Sequence, residues 1–200
     1  TLNVLVSLAE TARTDLRGHS GQVARLARQL TERMGLDEKL RVAIVAAAYL
    51  HDVGKTTNYH LTALNVAEYE GHKIQAQKVV NAPLRLFESV KLPAATKAAI
   101  EHLYERWDGQ GFPDRLAGEE IPLGARILAI AETYADLVQN ARNPFRRILP
   151  TKEALDVLHQ RKESVLDPNL VDLFAQVVVG DDLRRKLEGR AKVLVVDPDP

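Results

Sequence analysis

An all-α fold is the expectation for this chain, and two observations lead to it. Apolar residues recur at helical spacing almost throughout, and Gly or Pro punctuates the joints between the periodic segments. A third feature marks the exception: the β-branched run Ala191-Lys192-Val193-Leu194-Val195-Val196-Asp197, which reads as a strand. The prediction is a bundle of seven or eight helices with a short strand-like tail. With 200 residues, 46% of them hydrophobic, the chain can build one medium domain with a real core and carry an appendage.

The elements follow in order. Residues 2 to 13 read as a first helix. Ser20 is the expected N-cap of a second, ending near residue 34 with Gly35 as its stop; Val23, Leu26, Ala27 and Leu30 mark its buried stripe. A third covers residues 37 to 51 and stacks Ile44, Ala47 and Ala48 beneath His51. A fourth covers residues 63 to 81, before Pro83, and a short turn spans 84 to 88. A fifth runs from 93 to 106. A Gly/Pro-rich loop fills 107 to 122, and a sixth helix covers 123 to 139. Asn143-Pro144 and Pro150 bracket another loop. Thr151 caps a seventh helix, and Asp167-Pro168 opens an eighth as N-cap and first helical residue, with Gly180 as its end. Residues 181 to 190 form a charged linker helix. The expected domains are therefore 1 to 180, that linker, and 191 to 200 as the start of something further. Because the chain opens inside a periodic segment, it reads as a piece of a longer cytoplasmic protein.

Composition excludes several functions. Lys plus Arg and Asp plus Glu both number 27, so no net charge favours a nucleic-acid polymer or an anionic membrane. Without cysteine there is no disulfide framework, thiolate metal site or thiol nucleophile. No apolar run approaches the roughly 18 residues that a membrane span needs. A metal, if bound, must be held by imidazoles and carboxylates.

Such residues cluster in five motifs: Gly18-His19-Ser20-Gly21-Gln22-Val23; His51-Asp52-Val53-Gly54-Lys55; Gly71-His72; Glu105-Arg106-Trp107-Asp108-Gly109-Gln110-Gly111-Phe112-Pro113; and Ala125-Arg126-Ile127 leading to Ala131-Glu132-Thr133-Tyr134-Ala135-Asp136-Leu137. Adjacent His51 and Asp52 offer a nitrogen and a carboxylate from consecutive positions, and Lys55 adds a cation for phosphate. His60, His102 and His159 read as solvent-facing. In this order the motifs resemble the HD-GYP family of the HD phosphohydrolases, over residues 10 to 178.

The resemblance implies an all-helical HD-domain bundle, two or three metal ions and hydrolysis of cyclic di-GMP. Fe, Mn or similar ions suit imidazole and carboxylate ligands. It places His19, His51, Asp52 and His72 at ligand positions, Glu132 at that of a final ligand Asp, and Asp15 where some members carry a further Glu. It gives His51, Asp52 and Lys55 catalytic roles. Lys55, Phe112, Arg142 and Arg146 fall at substrate-contacting positions, Phe112 replacing a Tyr. Dimerisation through the N-terminal helices is also implied, and residues 2 to 13 permit it. The tail resembles the opening of a response-regulator receiver domain, with Pro198 where a second acid is usual.

Two departures shape the functional expectation. The adjacent His pair that the family carries before Glu-Arg-Trp-Asp-Gly is here Leu103-Tyr104, and the segment between His51 and His72 is shortened. Counting only the family's positions leaves at most one tightly bound ion, or none. Losing one ion of a two-metal centre removes several kcal/mol of transition-state stabilisation, or orders of magnitude in rate. The expectation is thus a degenerate, catalytically impaired signalling domain that binds a cyclic dinucleotide or a partner protein. The alternatives are an active metal-dependent cyclic di-GMP phosphodiesterase, or a one-metal phosphohydrolase acting on another nucleotide.

Overall fold

The computed structural model describes residues 18 to 55, 57 and 60 to 193, with side chains as far as 184. Among these residues the fold is an all-α bundle: α1 His19–Arg33, α2 Glu38–Leu50, α3 Ala63–Glu68, α4 Glu70–Val79, α5 Ala82–Leu86, α6 Ala94–Glu101, α7 Leu123–Gln139, α8 Thr151–Gln160 and α9 Pro168–Val193, with a 3-10 turn at Gly118–Glu120. The helix expected over residues 2 to 13 and the tail from 194 to 200 lie outside the described residues.

Helix α7 is the axis. Thirteen of its residues are buried, from Gly124 to Leu137 with Arg126 the exception, and it packs against α1, α2, α3, α6, α8 and α9. A helix apolar on every side belongs at the centre of a bundle. Gly124 lets α2 and α6 approach it closely: a Cβ there would sit 2.9 Å from Ala99 Cβ and 3.2 Å from Ile44 Cγ1. The stripe of Val23, Leu26, Ala27 and Leu30 on α1, and Ile44, Ala47 and Ala48 on α2, are all buried in the same core.

Several boundaries differ from the sequence expectation, each for a local reason. Helix α1 starts two residues early because Gly18, at φ 76°, takes the left-handed turn and its carbonyl accepts from the Gln22 amide. Ser20 is consequently a buried helical residue, not the cap. The expected fourth helix is two helices, broken at Tyr69 (φ −122°, ψ 113°), where Gly71 weakens continuation. Helix α6 stops at Glu101, so 102 to 104 leave the helix as a turn, and Tyr104 is carried inward, 2% exposed. Pro150, not Thr151, occupies the N-cap of α8. Asp167 does cap α9: its Oδ1 accepts from the amides of Asn169 at 2.9 Å and Leu170 at 3.1 Å. Gly180 does not end that helix. A mid-helix Gly costs only about 1 kcal/mol relative to Ala, and the next residue, Asp181, is tied to Arg25 on α1 at 2.8 Å.

The Gly/Pro-rich loop is built on the backbone of Glu105. A Cβ on Gly111 would meet Arg106 N at 2.4 Å and Glu105 Cα at 2.5 Å, so only glycine fits. Glu105 Oε1 accepts from the Asp114 amide at 2.7 Å, and the Trp107 and Asp108 amides donate to the carbonyls of Val165 and Ser164. Gly111→Ala must push backbone against backbone. We expect it to lower stability by about 1–3 kcal/mol, measured as a fall in thermal midpoint; an unchanged midpoint would show that the loop does not need the close approach.

Candidate metal centre

The site forms where three elements end or pass. His19 is the first residue of α1, His51 and Asp52 follow the last turn of α2, and Glu132 and Asp136 project from α7 one helical turn apart. The fourth contributor is His60, from the irregular segment before α3. His19, His51, Asp52 and His60 each offer one ligand atom, and these atoms all lie within 4.8 Å of one another. Such a set can coordinate a single divalent ion.

His60 corrects its expected place at the surface. It is 6% exposed; its Nδ1 is 2.8 Å from Asp136 Oδ1 and its Nε2 is 2.9 Å from Asp52 Oδ2. Asn140 Nδ2 donates to the same Asp136 oxygen at 2.7 Å, and Asn65 Nδ2 donates to the His60 carbonyl. No helical spacing flags this histidine. The sequence signals that could have done so are the shortened stretch after His51 and the Thr62/Asn65 capping box, which fixes the start of α3 just beyond it.

Hydrogen bonding sets the ring orientations. His51 is fully buried, and its Nδ1–H donates to the Ala48 carbonyl at 2.8 Å, which turns Nε2 and its lone pair toward Asp52 and Glu132, 3.4 Å from an oxygen of each. The rings of His19 and His60 stand edge-on with centroids 4.3 Å apart. Glu132 is fully buried, and neither of its oxygens has a hydrogen-bond partner. A carboxylate so placed requires a nearby cation. The donor set and this orphaned acid therefore fit a divalent ion.

The electrostatics without an ion point the same way. Burial alone would lower the pKa of His51, but Asp52 and Glu132 outweigh it and push it up to about 9. Burial likewise opposes protonation of His60, yet Asp52 and Asp136 push it up to about 10. Burial would raise the Asp52 carboxyl, but His51, Lys55 and His60 hold it well below the usual carboxylate range. Positive charge is thus demanded at this centre. Lys55, 5% exposed, lies 3.1 Å from Asp52 Oδ1 and donates to the Tyr104 hydroxyl at 2.9 Å.

The remaining predicted residues fall elsewhere. His72 is half-buried on α4, its ring 5.2 Å from that of Tyr69, and is not one of the four clustered ligands. Phe112 is buried against the Tyr104 ring at 5.5 Å and helps line an open cavity of about 170 Å³ with Lys73, Arg106 and Gln110. Arg142 and Arg146 are exposed on the loop after α7. Asp15 lies outside the described residues. His102 is half-buried and His159 exposed.

Asp136 would support an ion held there through His60, since its carboxylate fixes the ring's tautomer and direction. Asp136→Ala should weaken Mn(II) binding by about 10–100-fold, read by calorimetry. An affinity equal to that of the parent chain would mean His60 needs no such support.

A family profile described as an HD domain matches residues 3–170. A cyclic di-GMP phosphodiesterase of Thermotoga maritima is 28% identical over 88% of this chain and 48% of its own length. The cyclic di-GMP phosphodiesterase response regulator RpfG of Xanthomonas campestris is 31% identical over 76% of this chain and 40% of its own. A 3'3'-cGAMP-specific phosphodiesterase of Vibrio cholerae is 29% identical over 86% and 33%. The chain thus spans less than half the length of these relatives. A crystal structure of a cyclic GMP-AMP specific phosphodiesterase from V. cholerae superposes with a TM-score of 0.65 at 18% identity, covering 88% of this chain and 47% of that one, which supports the shared fold. No helix among the described residues is long and apolar enough to cross a membrane.

The expectation of a degenerate, catalytically impaired centre is overturned. It rests on ligands at the positions the resemblance supplies and on the replacement of the His pair by Leu103-Tyr104. The chain instead brings in His60, and the cluster His19, His51, Asp52 and His60 is intact. Leu103 is fully buried core and Tyr104 binds Lys55, so neither position leaves a gap.

Proposed function

Because the chain belongs to the HD-domain family, we propose that it is an active metal-dependent phosphodiesterase whose substrate is a cyclic dinucleotide, cyclic di-GMP or 3'3'-cGAMP. The observation that carries the reading is the four-ligand cluster beside the orphaned Glu132 carboxylate. When bound there, a divalent ion neutralises charge on the phosphate and lowers the pKa of water toward neutrality; Mn or Fe suits the donor set.

The chain's own residues do the rest. His51 and His60 hold lone pairs inward because Ala48 and Asp136 occupy their other nitrogens. Lys55 brings a second positive charge to Asp52, on the side away from the imidazoles. Low exposure around these groups strengthens each electrostatic contact with an anionic ester. Arg142, Arg146 and Phe112 belong to the substrate's approach in this reading, and a cytoplasmic signalling setting goes with such a messenger. The curated relatives named as cyclic dinucleotide phosphodiesterases support the substrate class.

The test is hydrolysis of cyclic di-GMP and of 3'3'-cGAMP by the chain loaded with Mn(II) or Fe(II), followed by chromatography. Linear dinucleotide is expected, and His51→Ala should abolish it. No turnover of either compound by metal-loaded protein would sink the proposal.

A further inference from the structure

Position 104 carries a group whose place in the site nothing yet explains. The Tyr104 hydroxyl is buried, accepts from Lys55 Nζ at 2.9 Å and donates to the Leu61 carbonyl at 3.0 Å. Its ring is braced by Phe112 at 5.5 Å, and the Phe112 amide donates to the Tyr104 carbonyl. The phenol is therefore fixed at both ends, and through it the ammonium of Lys55.

That ammonium meets Asp52 on a specific oxygen. Oδ2 faces His60 Nε2 at 2.9 Å and His51 Nε2 at 3.4 Å, whereas Oδ1 faces Lys55 at 3.1 Å. One carboxylate thus stands between two cationic positions, the imidazole cluster on one oxygen and the ammonium on the other. Two-ion phosphodiesterase centres clamp the ester between two positive charges. Here the second charge is built into the chain.

We propose that Tyr104 is a positioning residue that holds the Lys55 ammonium where a second metal ion would otherwise stand, so that the centre works with one metal and one ammonium. The inference rests on the phosphodiesterase reading for its catalytic meaning, but its geometry makes claims of its own. Released from the hydroxyl, the flexible lysine would keep Asp52 at 3.1 Å and the ring face at 5.0 Å, neither of which fixes its direction, and would present its charge to phosphate less often. The metal ligands do not touch Tyr104, so the ion should be indifferent to the loss of its hydroxyl.

The experiment compares the parent chain, Tyr104→Phe, Lys55→Met and the double variant. Three quantities are measured: Mn(II) equivalents bound at saturation, the affinity of the Mn-loaded protein for inorganic phosphate, and kcat on cyclic di-GMP. The parent chain and Tyr104→Phe should each bind about one equivalent of Mn(II). Tyr104→Phe should weaken phosphate binding and lower kcat by about 10–100-fold, the worth of a hydrogen bond to a charged group. In phosphate affinity and kcat the double variant should be no worse than Lys55→Met alone, because the hydroxyl reaches the phosphate only through the lysine, its bond to the Leu61 carbonyl being structural. A merely structural tyrosine would instead give additive losses.

Two saturating equivalents of Mn(II) in the parent chain would overturn the proposal. So would unchanged phosphate affinity in Tyr104→Phe, or full additivity in the double variant. If the parent chain hydrolyses nothing, the phosphodiesterase reading fails by itself, while metal count and phosphate affinity still decide the role of Tyr104. Circular dichroism melts identify any variant that has lost its fold, and Tyr104→Leu then replaces Tyr104→Phe: it removes the phenol without adding a metal ligand and should lower phosphate affinity equally.

Discussion

His60→Ala is expected to strip the centre of its ion, weakening Mn(II) binding by more than about 100-fold. Outer partners of metal ligands already matter at about 10–100-fold, and His60 is closer than that: its Nε2 is within 2.9 Å of Asp52 Oδ2, inside the four-ligand group. The substitution also leaves two acids exposed to each other. Asp136, 1% exposed, would keep only Asn140 as a side-chain partner, and Asp52 would lose one imidazole. Removing one partner of a buried pair costs about 3–5 kcal/mol, so the cation-free variant should also melt earlier. His72→Ala is the discriminating control. The ring at 72 lies outside the cluster, and its removal should leave Mn(II) affinity little changed. Calorimetric titration of both variants decides the matter. If His60→Ala bound the ion as well as the parent chain, the ring would be a structural clamp between α2 and α7 and nothing more.

The contrast between these two histidines marks how far the sequence could be read. Helix α7 emerges from its apolar pattern at the bounds it occupies, because a helix buried on every side has no amphipathic ambiguity at its ends and is delimited by Pro122 and the loop at 140. His51 and Asp52 were legible because a ligand pair at the end of a helix is a local feature. His60 was not. It reaches the site through an irregular stretch where no period relates a residue to its direction, and only the tertiary meeting with Asp136 turns it inward. The role of Tyr104 is hidden for a related reason: nothing local in the sequence tells that its neighbour across the fold is an ammonium. Gly180 shows the limit of breaker signals: contacts to α1 beyond it sustain the helix.

The centre's stability should depend on pH without its ion and lose that dependence with it. In the cation-free protein burial is overcome by Asp52 and its fellow carboxylates, so His51 is pushed up to about 9 and His60 to about 10. Both rings then carry protons at neutral pH that a divalent ion must displace from Nε2, while the Nδ1 protons stay on the rings, donated to the Ala48 carbonyl and to Asp136. Two displaced protons make the apparent affinity fall by up to about 100-fold per pH unit below about pH 9. Stability follows by linkage. Each histidine has a folded pKa above its unfolded value of 6.5. Its contribution is therefore complete below about pH 6.5 and is lost as pH rises through about 9 to 10. For the buried pair this amounts to on the order of several kcal/mol. The chain in a chelator should accordingly melt at lower temperature as the medium becomes alkaline. In fixed excess Mn(II) the midpoint should stay nearly level over the same window, because the tighter binding, as RT ln(1 + [L]/Kd), offsets that loss proton for proton. Thermal midpoints taken from about pH 6 to 9 under both conditions should diverge with rising pH. Parallel curves would mean that the protons on His51 and His60 do not compete with the ion, and that the two rings are not where it binds.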